Sequence, residues 1–187
     1  MFATPLLVVL GLLVGVVVWA VAAYNKLVRY RNMKEEGWSG IDVQLKRRSD
    51  LVPNLLETVK GYMRHEKEVL QGVTELRSRA KAAKGPTEKM KAESAFGLGL
   101  GRLLAVAESY PDLKANVNFL ELQKELEEIE DNLQMARRYY NGTVRNLNTA
   151  IEVFPSSIIA RKFQFSPGEY FEIEDAKDRE VPVVSFT

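Results

Sequence analysis

The stretch Phe2 to Ala23, FATPLLVVLGLLVGVVVWAVAA, is 22 residues long and carries no charged side chain. As a helix rising about 1.5 Å per residue it would be roughly 33 Å long, enough to cross the hydrocarbon core of a bilayer. Nothing else in the chain restricts its fate as strongly. Pro5 lies in the first turn, where a missing N–H costs least. Trp19 and Tyr24 flank the far end, where amphipathic aromatics favour the membrane–water interface. A cleaved signal peptide is the competing reading. Ala20 to Ala22 offers small residues at cleavage-like spacing, but no Lys or Arg precedes the apolar run, and the run exceeds an ordinary signal core. The sequence therefore predicts a transmembrane helix over 1–23.

The flanks suggest an orientation. Lys26, Arg29, Arg31 and Lys34 follow the span within a few residues, and the positive-inside tendency puts that side in the cytoplasm. Within the span, Gly11 and Gly15 form a GxxxG pair. Glycines four apart share one helix face and let a second helix approach closely. The pair predicts self-association in the membrane, against the plain alternative that Gly is common in such helices.

Composition narrows the function classes. Lys and Arg total 26 against 25 Asp and Glu, a net charge of +1. A nucleic-acid partner needs a strong local basic excess, so none is expected. The chain has no Cys and one His, His65. Disulfides, thiolate catalysis, Cys-ligated zinc and a lipid-bearing Cys are thereby excluded. His65-Glu66 begins an H-E-x-x pattern, but Val69 stands where a zinc protease needs its second His. A bundle di-iron site needs two Glu-x-x-His motifs, and one His cannot supply them. The acidic run Glu125, Glu127, Glu128, Glu130 and Asp131 has the composition of a Ca²⁺ ligand set, though such runs are usually a solvated helix face. The NGT sequon at Asn141 falls inside a predicted helix. No catalytic residue, metal ligand or cofactor is assigned.

Helical periodicity governs the rest. Stepping by three and four from Trp38 gives Ile41, Leu45, Arg48, Val52, Leu55, Val59, Tyr62, Glu66, Val69, Val73, Leu76, Ala80 and Ala83. Eleven of those thirteen positions are apolar or aromatic, one continuous amphipathic seam. The seam keeps its phase through Pro53. That favours a kinked, nearly continuous helix reaching about Lys84 over a helix that restarts at Ser49 or Asp50 to form a hairpin and a four-helix bundle. Gly85-Pro86 marks a loop, with Thr87 as cap for the next helix. That helix runs to about Ser109. Its alternating Gly97, Gly99 and Gly101 lack the ending of a phosphate-binding loop and read as close helix packing. Pro111 opens a short connector. A second long seam follows through Leu126, Ile129, Leu133, Ala136, Tyr140, Val144, Leu147, Ile151 and Phe154, antiparallel to its predecessor because the connector is short. Pro155 ends or bends it. Ser166-Pro167-Gly168-Glu169 has the form of a helix capping box. The aromatics Phe163, Phe165, Tyr170 and Phe171 are expected to dock the tail on the bundle, with a partner-binding patch as the alternative. Val181 to Phe186 is extended in character and could add to a sheet edge elsewhere.

Four segments, YNKLVRYRN, GWSGIDVQLKRRSDLVPNLLETVKGYMRHE, GRLLAVAESYPDLKANVNFLELQKELEEIEDNLQMARRYYN and VPVVSF, together resemble the LemA family over nearly the whole chain. The resemblance implies one N-terminal transmembrane helix, a helical bundle and no established enzymatic activity. Some family members look like lipoproteins, with a Cys just before the equivalent of Tyr24-Asn25. This chain has Ala22-Ala23 there. The lipoprotein variant would place the bundle outside the cytoplasm, against the reading from flanking charge.

The expected architecture is all-α: a transmembrane helix (1–23), an elongated up-and-down antiparallel bundle of three to four long helices (24–160) and a docked C-terminal tail (161–187). The expected function is a single-pass, membrane-anchored helical scaffold without catalytic activity. Its partners would be the lipid bilayer, a second copy through Gly11 and Gly15, and other membrane proteins. The alternative is a membrane-associated enzyme or metal protein whose acidic ligands form no recognised motif. A third reading is a membrane-surface remodeller using Lys26 to Lys34 on anionic lipid.

Overall fold

The computed structural model describes the backbone of residues 3–171 and the side chains of residues 7–171. The extended reading of Val181 to Phe186 lies outside the described residues. Among those described there are only helices: α1 (Ala3–Lys60), α2 (Lys67–Ala82), α3 (Gly85–Ala107), the single turn α4 (Pro111–Lys114), α5 (Val117–Glu152) and α6 (Ser156–Lys162). The chain divides into two compact units, and α1 and α5 each contribute to both. Among the described residues, the first unit holds 3–44 and 132–170, the second 45–131 and Phe171.

Helix α1 runs unbroken through Pro53, as the retained phase of the seam predicts. Proline removes the N–H that would reach the Ser49 carbonyl. Helix α2 supplies the replacement: Arg77 Nε donates to the Ser49 carbonyl oxygen at 2.7 Å. A buried carbonyl without a donor is costly, so this side chain makes a mid-helix proline tolerable.

The helix does not continue to Lys84. It stops at Lys60, and the chain reverses over residues 61–66 before α2 begins. The Val59 carbonyl accepts from the N–H groups of both Tyr62 and Met63, at 3.0 and 2.9 Å. This closes the last turn at Gly61, a poor helix former. Within the turn Met63 rather than Tyr62 is buried, and the seam resumes at Val69 and Val73. A periodicity of three or four cannot reveal such a turn when its length preserves the phase on either side. Four long helical segments therefore pack in the second unit, with the single turn α4 between two of them, as in the hairpin alternative, but the reversal follows Pro53. Their core contains Val52, Leu55, Val59, Val73, Phe96, Leu103 and Ile129.

Two local expectations also change. Helix α3 begins at Gly85, whose φ of 76° favours glycine. Its first turn is closed by the Glu88 carboxylate, which accepts from the Lys84 N–H at 3.0 Å, not by Thr87 as N-cap. The Ser166 to Glu169 segment starts no helix. Gly168 instead bridges to α5 through the Asn148 side chain, its N–H donating to Oδ1 at 2.8 Å and its carbonyl accepting from Nδ2 at 3.0 Å.

In the first unit α1 and α5 run antiparallel at close range. A Cβ at Gly37 would lie 3.1 Å from the Tyr140 Cα. Trp38 packs edge-on against Tyr140, with ring centroids 5.6 Å apart. Gly37→Ala must push the two backbones apart, and thermal unfolding should show a loss of about 1 kcal/mol, near the low end for overpacked sites. An unchanged stability would mean that the helices have slack at this crossing.

Candidate functional site: the bare apolar helix and a buried arginine

The start of α1 is uncovered. Leu7, Leu12 and Val16 are 65, 66 and 61% exposed. This segment has a mean hydropathy of 2.6 and is long and apolar enough to cross a membrane. A Cβ added at Gly11 or at Gly15 would meet nothing within 4 Å, so no described part of the chain covers that face. Trp19 and Tyr24 lie at its far end, where the Tyr24 ring packs against Phe163 at 4.7 Å and Phe165 at 5.9 Å.

The second unit contains a charge cluster that the sequence reading did not single out. Arg48 is 1% exposed. One terminal nitrogen donates to the Glu93 carboxylate at 2.6 Å and to the Glu93 carbonyl at 3.0 Å. The other donates to Glu130 at 2.7 Å. The guanidinium lies over the Phe96 ring, 5.2 Å from its centroid. Glu93 is as buried as Arg48, whereas Glu130 is partly open to solvent. The signal was in view: Arg48 interrupts an otherwise apolar seam, and Glu93 shares a helix face with Met90, Phe96 and Leu100. Such a group ties α1, α3 and α5 to one register, because a slip would strand a charge in the core. Gly97 is part of this arrangement, since a Cβ there would stand 3.3 Å from the Arg48 guanidinium. Gly99 lets Leu76 approach to 2.6 Å of where its Cβ would be, while Gly101 faces open space. Close packing thus accounts for two of the three alternating glycines.

The remaining candidates are scattered. His65 is exposed in the reversal after α1. Glu125, Glu127, Glu128 and Asp131 lie on the solvated face of α5, and only Glu130 turns inward. Among the described residues no three His, Asp or Glu side chains converge as a metal site would require. A half-open groove of about 530 Å³ between α2 and α3 is floored by Val69, Val73 and Leu76, with Glu68 and Arg102 also lining it.

The tail aromatics divide. Phe171 is buried, Phe165 half-buried, and Phe163 and Tyr170 exposed. The segment between Phe165 and Tyr170 is held by Tyr140, whose hydroxyl donates to the Glu169 backbone carbonyl at 2.9 Å. Burial raises the Tyr140 pKa above its ordinary value, and the Glu169 charge adds to the rise. The folded state therefore holds the phenol proton more tightly than the unfolded chain. This contribution to stability is complete below the ordinary pKa of about 10 and is lost as pH climbs through the higher folded value. In denaturant titrations above about pH 10, Tyr140→Phe should lose stability less steeply than the parent chain. Equal slopes would show that this phenol does not sense folding.

The family model described as the LemA family matches residues 37–186. The chain belongs to the LemA family. The match starts within α1, beyond its apolar start, and takes in the second unit and part of the first. A relative named Protein LemA, from Metamycoplasma hominis, is 29% identical over 139 residues, covering 74% of this chain and 64% of the relative. A second, Magnetosome protein MamQ 2 from Paramagnetospirillum magneticum, is 25% identical over 87% of this chain and 68% of its own length. A third, Magnetosome protein MamQ from Magnetospirillum gryphiswaldense, is 24% identical over 92% of this chain and 72% of its own. This LemA-family chain thus spans about two-thirds of the length of these relatives, and none of their names is that of an enzyme.

Proposed function

We propose that this protein is a single-pass, membrane-anchored helical scaffold that acts through contact surfaces rather than catalysis. The observation that carries the reading is the bare start of α1, whose large apolar side chains are more than half exposed from Leu7 to Val18. Surface on this scale is stable in lipid and unstable in water. In the second unit Arg48 is paired with Glu93 and Glu130, charges spent on holding helices together.

Gly11 and Gly15 are the proposed self-association face, because backbones approach closely where side chains are smallest. Crosslinking in native membranes should trap homo-oligomers and any partner proteins. Gly11→Ile with Gly15→Ile should raise the dimer dissociation constant in detergent about tenfold, the effect of losing about 1–2 kcal/mol of association free energy. An unchanged oligomer distribution would remove this face from the reading.

Lys26, Arg29, Arg31 and Lys34 support a cytoplasmic position for the bundle. The natural chain has no Cys, so Ser78→Cys adds a single thiol. A membrane-impermeant maleimide should label it in opened cells and not in intact ones. Labelling in intact cells would reverse the orientation.

A further inference from the structure

The corner where α5 gives way to α6 lies beside the membrane end of α1. Leu27 of α1 is buried with Ala150, Ile159 and Ala160, and Ala20, Ala23 and Tyr30 pack around them. The outer side of this corner is apolar and open: Phe154 is 80% exposed, and Val153, Ile158 and Phe163 are each about half exposed. Arg161 and Lys162 close α6 and are exposed as well. Between α1 and the corner lies a half-open cavity of about 520 Å³. Trp19, Ala23 and Phe154 give it an apolar wall, and Lys26 and Arg145 a basic one. Among the described residues neither cation has a carboxylate within ion-pair distance; Lys26 lies 5.7 Å from the Tyr30 ring centroid. Glu152, the acidic residue nearest Phe154 in sequence, is exposed and does not line the cavity.

These features fall at one depth. If the apolar run crosses a bilayer, Trp19 and Tyr24 sit at the interface. Lys26 lies one turn beyond, about 4.5 Å further along the helix axis from Ala23. An apolar wall toward the acyl chains and a basic wall toward the phosphates is the polarity of a phospholipid at its headgroup. We propose that the α5–α6 corner rests in the headgroup layer of the bilayer that α1 crosses, and that its cavity takes the headgroup of an anionic phospholipid between Lys26 and Arg145. The proposal depends on α1 being a membrane span, and it adds a second, ligand-selective contact with that membrane.

Single-Cys variants of the full chain, nitroxide-labelled in phosphatidylcholine vesicles with and without phosphatidylglycerol, test both levels. A label at Leu13→Cys should lie in the hydrocarbon and one at Ser78→Cys in water. A label at Phe154→Cys should lie between them, with a collision rate toward a water-soluble nickel chelate about threefold below that at position 78. The second measurement is the preference of the unlabelled chain for spin-labelled phosphatidylglycerol over phosphatidylcholine. Lys26→Gln with Arg145→Gln should reduce it about tenfold, while Arg29→Gln, outside the cavity, should change it less than about twofold. A hydrocarbon label at 13 with an aqueous label at 154 would overturn the proposal and leave the span intact. An aqueous label at 13 would overturn both. Spin–spin broadening between labels at 154 that survives Gly11→Ile with Gly15→Ile would show a second copy of the chain on the corner and also overturn the proposal. Equal losses for Arg29→Gln and for the double variant would reduce the cavity to bulk surface charge.

Discussion

Arg48→Met should lower the unfolding free energy of the full chain by about 3–5 kcal/mol, because removing one member of a buried ion pair strands the other. Glu93 is the stranded group: it is 3% exposed, and Arg48 is its ion-pair partner. Arg48→Met with Glu93→Met should recover most of the loss, since replacing both buried charges by apolar groups of similar size is often nearly neutral. Glu130→Gln should cost less than about 1 kcal/mol, because Glu130 is partly solvated and can keep a hydrogen bond to the guanidinium. Denaturant unfolding in mild detergent, followed by circular dichroism, measures all three. A double variant as unstable as Arg48→Met would mean that the arginine stabilises through its packing on Phe96 rather than through its charge.

The second large effect belongs to Arg77. Arg77→Met should cost about 1.5–3 kcal/mol, the range for a hydrogen bond from a charged donor whose loss leaves an acceptor unpaired. The diagnostic is the background. In a Pro53→Ala chain, residue 53 regains its N–H and can bond the Ser49 carbonyl within α1. There the cost of Arg77→Met should fall by at least about 1 kcal/mol, a coupling typical of residues that share one partner. Equal costs in both backgrounds would show that Arg77 does not compensate for the proline. The pair also bears on how α1 and α2 are held together, since this side chain reaches from one helix to the backbone of the other.

Some of this chain can be read without coordinates. Hydropathy alone marks the apolar start of α1, because crossing a bilayer requires a length and composition that few soluble segments share. Periods of three and four mark the long helices, because one face must be apolar to pack. The phase carried through Pro53 predicts a kinked but nearly continuous helix there, and α1 is continuous through the proline. The four long motifs identify the family. The reversal at Gly61 was not legible, because a turn that conserves phase leaves the pattern intact. Nor was the role of Arg48. A polar residue in an apolar seam announces a partner, but the partners Glu93 and Glu130 lie 45 and 82 residues away, and only the packing of α3 and α5 brings them together. Ser166 to Glu169 has the local chemistry of a helix start, yet hydrogen bonds to Asn148 and Tyr140 hold it extended along α5, a tertiary contact overriding a local preference. The basic and apolar walls of the α5–α6 corner are likewise invisible in sequence, since they come from segments more than a hundred residues apart. The sequence by itself determined which stretches are helical and which helix favours lipid, because these depend on near neighbours. Tertiary structure decided where the chain turns back and which charges meet, because both depend on free energy gained only when distant segments pack.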